Sequence, residues 1–155
     1  MIEYRKATVG EGDLLAKIRV DFLLEAKNID DTEEEKTLMF ERNRRFMARA
    51  LADGSFVSWV AVQDGEIIAT SGVSFYTLPP NKEYPDGKVA YISNMFTCPE
   101  YRNQGVASKL FALALEEAQS RGCAKISLTA SDMGRPIYEK YGFMTVDKEM
   151  FFHIE

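Results

Sequence analysis

The sequence predicts a single mixed α/β domain, an α+β arrangement around one sheet, and three observations predict it. Stretches rich in β-branched and aromatic residues alternate with stretches whose apolar residues recur every three or four positions, the pattern of strands interleaved with helices. Gln63-Asp64-Gly65-Glu66 lies between two strand-like stretches and is a hairpin turn, so part of the sheet is antiparallel. Residues 89–130 read as strand, helix and strand, which closes most simply as a right-handed parallel crossover. The order is β-α-α-β-β-β-α-β-α-β. No linker, composition shift, repeat or low-complexity tract divides it, so one domain is expected over residues 1–155.

Residues 2–9 alternate loosely through Ile2, Tyr4, Ala7 and Val9 and give the first strand. Gly10-Glu11-Gly12-Asp13 breaks the pattern, with Asp13 the expected N-cap of a helix whose stripe is Leu14, Ile18 and Phe22, joined by Leu15 and Ala26. Asn28-Ile29-Asp30-Asp31 closes that helix. Thr32 and Glu35 stand at capping-box spacing and open a second helix carrying Leu38, Met39, Arg42, Phe46, Met47 and Leu51, which Asp53-Gly54 ends. Residues 56–62 and 67–76 are the arms of the hairpin. Residues 77–88 hold Pro79, Pro80 and Pro85 and form a connection longer than the usual hairpin loop of about 2–5 residues. Residues 89–97 are a strand. A helix follows over 104–121, burying Val106, Leu110, Phe111, Leu113, Ala114 and Ala118, with Gly122 as its stop. Residues 124–130 are a strand, 136–141 a short helix, and Phe143 begins a last strand.

Lys and Arg number 19 against 24 Asp and Glu, a net charge of −5, which argues against nucleic acid as the partner. A hydrophobic fraction of 46% supplies a core and excludes disorder of the whole chain. No apolar run approaches the ~20 residues of a membrane span, so no membrane partner is expected, and the N-terminal residues lack a signal-peptide layout. Cys98 and Cys123 are too few for a disulfide scaffold or a zinc site, and His153 is the single histidine. Triad, Cys-His and multi-histidine metal chemistries are therefore disfavoured, no metal is expected, and a reduced cytoplasmic compartment is the default.

The segment that carries chemistry is Asn94-Met95-Phe96-Thr97-Cys98-Pro99-Glu100-Tyr101-Arg102-Asn103-Gln104-Gly105-Val106-Ala107. A strand feeds a turn whose small residues open a long helix. Uncovered backbone N–H groups and the positive dipole end then meet at one spot, which suits phosphate. Neither the Gly-Lys-Ser/Thr ending of a Walker loop nor Gly-x-Gly-x-x-Gly is present. Close helix–sheet packing alone would also explain Gly105 and Ala107. A second signature lies downstream in Ile137-Tyr138-Glu139-Lys140-Tyr141-Gly142-Phe143.

Together the two segments resemble the GNAT superfamily of N-acetyltransferases. Its Arg/Gln-x-x-Gly-x-Gly/Ala loop is matched by Arg102, Gly105 and Ala107, and its Leu-Tyr-Glu-x-x-Gly-Phe pattern by residues 137–143. The resemblance covers residues 89–145 firmly and the whole chain as element order. It implies acetyl-CoA as cosubstrate and a small-molecule or peptide amine as acceptor, and it admits a homodimer. Met95, Phe96 and Thr97 would pair with the pantetheine arm as an added strand, a backbone N–H there steadying the thioester oxygen. Arg102, Asn103, Gln104, Gly105, Val106 and Ala107 would hold the pyrophosphate, with Lys109 as further positive charge. Ser131 stands where many members carry an Asn against the cofactor; a hydroxyl can still donate and accept there. Tyr138 is implied as the general acid that protonates the departing thiolate.

The base is not singled out. Glu25, Asp21, Tyr91 and Ser93 are candidates, and none has distinctive spacing. The acidic run Asp30, Asp31, Glu33, Glu34 and Glu35 reads as a solvated helix start before it reads as a site for a cation. The connection over 77–88 either shapes acceptor entry, covers an edge or makes a dimer contact. Cys98 lacks an activating neighbour and reads as inert. Two further readings stand beside the enzyme: a non-catalytic acyl-CoA sensor on the same fold, and an unrelated phosphate-binding domain.

Overall fold

The protein is described by a computed structural model over residues 1–27 and 31–154. The expected helix stop at Asn28-Ile29-Asp30, the acidic Asp30 and the side chain of Ala26 lie outside the described residues. Six strands form one sheet. β1 (Glu3–Lys6) pairs antiparallel with β3 (Trp59–Gln63), β3 with β4 (Glu66–Thr77) and β4 with β5 (Lys88–Thr97). β5 runs parallel to β6 (Lys125–Leu128), and the short β2 (Phe56–Val57) adds to β4. Helices α1 (Gly12–Lys27), α2 (Glu33–Asp53), α3 (Val106–Ser120) and α4 (Arg135–Lys140) complete the mixed α/β architecture, in the predicted order as far as α4.

The two-residue side-chain period of a strand distributes the helices over both faces. Val60 and Val62 of β3 pack with Leu15 and Ala16 of α1 and Met47 and Ala50 of α2. Ala61, between them, packs with Val106 and Leu110 of α3. A third cluster joins Val73, Ala90 and Ile92 of the sheet to Phe111, Ala114 and Ala118 of α3 and Tyr138 of α4. The hairpin turn expected at 63–66 forms, with Asp64 and Gly65 both left-handed (φ 52° and 79°), as a twisted two-residue loop requires. α2 carries the expected capping box: the Glu35 N–H donates to Thr32 Oγ1 (3.2 Å), and the Thr32 N–H to Glu35 Oε2 (2.9 Å).

Four local expectations are corrected. Asp13 does not cap α1; a 3₁₀ turn over Val9–Glu11 precedes it, and the Glu11 carboxylate accepts from the Thr8 N–H (2.8 Å) and from both terminal nitrogens of Arg5 (2.8 and 3.0 Å). That lead-in sets the phase of the helix, so Leu15 and Ala16 are buried while Leu14 is 45% exposed. The strand expected over 56–62 breaks at Ser58, whose buried hydroxyl donates to the Ser71 carbonyl (2.6 Å). The last strand is missing: residues 143–154 join no ladder, and Met150, Phe151 and Phe152 are 85–92% exposed. Strand propensity is local, whereas a strand needs a neighbour to pair with. Among the described residues no helix is long and apolar enough to cross a membrane.

Candidate functional site

The site begins with an irregularity in β5. Gly72 of β4 pairs with Ser93 and Thr70 with Phe96, so two residues, Asn94 and Met95, oppose the single Ser71. This is a bulge, and Asn94 accommodates it in a left-handed conformation (φ 58°) that asparagine tolerates better than most residues. The extra residue changes which side chains share a face. Met95 joins the apolar cluster of Ala90 and Ile92 on the α3–α4 side, while the Phe96 ring stacks 5.5 Å from Phe22 of α1. Thr70 Oγ1 donates to the Asn94 carbonyl (2.8 Å) and holds the bulge in place. The Asn94 side chain is buried, and neither its Oδ1 nor its Nδ2 has a partner among the described residues. β6 ends at the pair Ile92–Leu128, whereas β5 continues to Thr97, so residues 93–97 carry no β6 partner.

The chain turns directly from this strand end into the start of α3. Arg102 Nε donates to the Thr97 carbonyl (3.0 Å) and Gln104 Nε2 to the Glu100 carbonyl (2.9 Å), which fold the turn against itself. Gly105 is the N-cap at φ 80°, and a Cβ there would meet nothing within 4 Å, so the left-handed backbone and not crowding calls for glycine. No side chain caps α3, and no acid lies in its first turn. Asn103, Gln104 and Gly105 are exposed, Val106 is buried and Ala107 half-buried. The first turn of α3 therefore offers backbone donors and a positive dipole end to solvent. Lys109 is exposed one turn along.

Tyr138 lies in α4 beneath these elements. Its ring sits 4.9 Å from Phe111, and burial raises its pKa above the ordinary tyrosine value. A Cβ on Gly134 would come within 2.6 Å of Tyr138 Oη, so that glycine supplies the space the hydroxyl occupies. The hydroxyl makes no hydrogen bond to the described residues. Ser131 is engaged locally: its Oγ accepts from the Gly134 N–H (3.1 Å) and shapes the turn into α4. Burial also raises the pKa of Cys98 and Cys123, which agrees with inert thiols.

On the opposite face of the sheet, a cleft of about 310 Å³ lies between the α1–α2 pair and strands β2, β4 and β5. Arg19, Asn43, Phe46, Met47, Phe56, Ser74, Tyr91 and Ser93 line it. Tyr91 and Ser93 thus reach the cleft. Asp21 and Glu25 are exposed and do not line it, and Asp21 pairs with Lys17 (3.5 Å). Asn94, Arg19 and Asn43 were not distinguished by sequence pattern, because bulge register and cleft lining are set by long-range pairing. No group of three or more His, Cys, Asp or Glu side chains is placed to hold a metal among the described residues.

Residues 20–143 match the model of the acetyltransferase (GNAT) family. A predicted acetyltransferase from Clostridium acetobutylicum, whose crystal structure was determined with acetyl-CoA, is 33% identical, superposes with a TM-score of 0.89, and is covered over 96% of its chain by 99% of this one. A GCN5-related N-acetyltransferase from Ralstonia eutropha is 28% identical with a TM-score of 0.86, and 99% of each chain is covered. Glucosamine 6-phosphate N-acetyltransferase of Trypanosoma brucei brucei is 34% identical over 62 residues, which span 40% of this chain and 42% of that protein.

Proposed function

Because the chain belongs to the acetyltransferase (GNAT) family, we propose that it moves the acetyl group of acetyl-CoA onto an amine by direct attack within a ternary complex. The observation that carries this reading is the bulged end of β5, which continues past its last β6 partner and runs into an uncapped helix start. The Clostridium acetobutylicum relative, determined with acetyl-CoA, supports the choice of donor. The residues suit that donor: the α3 N-terminus has donors without a side-chain cap, and the buried Asn94 amide has unused hydrogen-bonding capacity.

Acetyl-CoA supplies an activated thioester. The N–H groups at 105–108 bind its pyrophosphate, because the overall charge of −5 cannot attract it and local dipoles must. The backbone of Met95, Phe96 and Thr97 pairs with the pantetheine arm as an added strand, and an N–H there donates to the acetyl oxygen as charge collects on it. Tyr138 Oη gives its proton to the departing sulfur, and the proton that the attacking amine sheds as the amide forms passes through solvent and restores the phenol. A tyrosine phenol carries its proton at neutral pH, as a general acid must, and burial pushes the Tyr138 pKa further up.

Acetyl-CoA is expected to raise the melting temperature, and an amine panel should release free thiol from it. Tyr138→Phe should lower kcat by about 100-fold or more while leaving acetyl-CoA affinity within about twofold. Binding without turnover in the wild type would favour a sensor; absence of binding would remove the reading altogether.

A further inference from the structure

The charge of the cleft and the charge of the chain have opposite signs. Among the described residues Arg19 is the only charged one lining the cleft, in a protein with a net charge of −5. It is half-buried, and no carboxylate lies within ion-pair distance of it among the described residues. A guanidinium drawn out of water without a counter-charge is costly, and burial accordingly lowers its pKa.

Arg19 is also held in position. Its Nε donates to Asn43 Oδ1 (3.1 Å), and Asn43 Nδ2 donates to the Met39 carbonyl (3.0 Å), which fixes the amide that fixes the arginine. The two terminal nitrogens of the fork make no hydrogen bond to the described residues. Around them the cleft offers hydroxyls from Ser74, Tyr91 and Ser93. At about 310 Å³ the cleft is near the lower bound for small-molecule sites. Ser93 adjoins the bulged Asn94, so the cleft reaches the strand end where transfer is proposed to occur.

We propose that Arg19 is the receptor for an anionic group, a carboxylate or a phosphate, carried by a small amine acceptor, with Asn43 as its positioning residue. The inference rests on the acetyl-transfer reading above. An oxyanion would supply the missing counter-charge and meet the planar fork with two parallel hydrogen bonds.

Matched acceptor pairs test this: glucosamine 6-phosphate against glucosamine for phosphate, and L-phenylalanine against phenethylamine for carboxylate. Each is measured by thiol release and by calorimetric binding in the presence of CoA. The anionic member of at least one pair should lead by tenfold or more in kcat/KM or in affinity, and the pair that shows it identifies the anion. Arg19→Gln should reduce that lead to threefold or less through KM, with acetyl-CoA affinity retained as the measure of folding. Arg19→Lys should recover part of it. The proposal is overturned if acetyl-CoA binds but neither anionic member leads in either measurement, or if Arg19→Gln keeps the lead. Failure of acetyl-CoA itself to bind would instead sink the acetyl-transfer reading.

Discussion

The helix starts at Thr32 and Gly105 solve the same electrostatic problem in opposite ways. At α2, Thr32 and Glu35 satisfy one another's backbone donors, and Glu33, Glu34 and Glu35 lie against the positive dipole end. At α3, a left-handed glycine precedes the first turn, no side chain caps it, and no acid lies near. The turn ahead of α1 sides with α2, because Glu11 folds back onto Thr8 and is gripped by Arg5. The short α4 likewise starts at a glycine with no capping side chain and no acid in its first turn. Of the two long helices compared, the one left bare is the one that follows the bulged strand, where a ligand can complete it.

The largest test of this contrast converts the bare start into a finished one. Ala107→Glu places a carboxylate in the first turn of α3, where it should weaken acetyl-CoA binding by about tenfold or more, or ~1.4 kcal/mol. The same substitution should leave stability unchanged or raise it by about 0.3–1 kcal/mol, since an acid suits a helix N-terminus. Calorimetry and chemical denaturation would thus move in opposite directions; parallel losses would break the contrast. The reverse experiment is Thr32→Ala. It should cost about 1 kcal/mol of stability, seen in urea unfolding, with acetyl-CoA affinity unaltered. The smallest effect is the pH response at Glu11. The hydrogen bond from Arg5 holds its pKa down from the ordinary 4.5 to about 2. A depressed carboxylate pKa means its stabilisation is full above the ordinary value and is lost as pH falls toward 2. An NMR titration of the Glu11 carboxyl should show its midpoint there, and Arg5→Gln should return it toward the ordinary value.

What could be read from the sequence was what depends on neighbours in the chain. The Thr32–Glu35 box, the Asp64-Gly65 turn, the apolar face of α3 and the strand–helix–strand crossover are local patterns, and each forms. Of the described members of the α1 stripe only Leu14 is exposed, next to the 3₁₀ turn held by Arg5 from the first strand, while Leu15 enters the core and Phe22 packs on Phe96. The strand expected from Phe143 failed for want of a partner, although Phe143 itself packs 5.4 Å from Phe111. In the candidate site, the turn from Arg102 to Ala107 was legible as a motif. Asn94 was not, since a bulge exists only relative to the opposing strand. Nor was Arg19, whose interest lies in what does not surround it.

The bulge also fixes what kind of change this strand can absorb. Because Asn94 and Met95 together face one residue of β4, everything from Phe96 onward is displaced by one position from simple alternation. Substitutions along 93–97 alter a side chain and leave its neighbours where they are. Removing Asn94 or Met95 would restore simple alternation and leave Phe96 on the Phe22 face, but it would erase the bulge itself, with the left-handed turn at Asn94 and the carbonyl that Thr70 Oγ1 holds. Length, more than composition, is the inheritable constraint on this segment. Insertions and deletions should be accommodated in the connection over 77–88 and rejected within four residues of Asn94 in the direction of the turn, where one register serves both the sheet and the helix that follows.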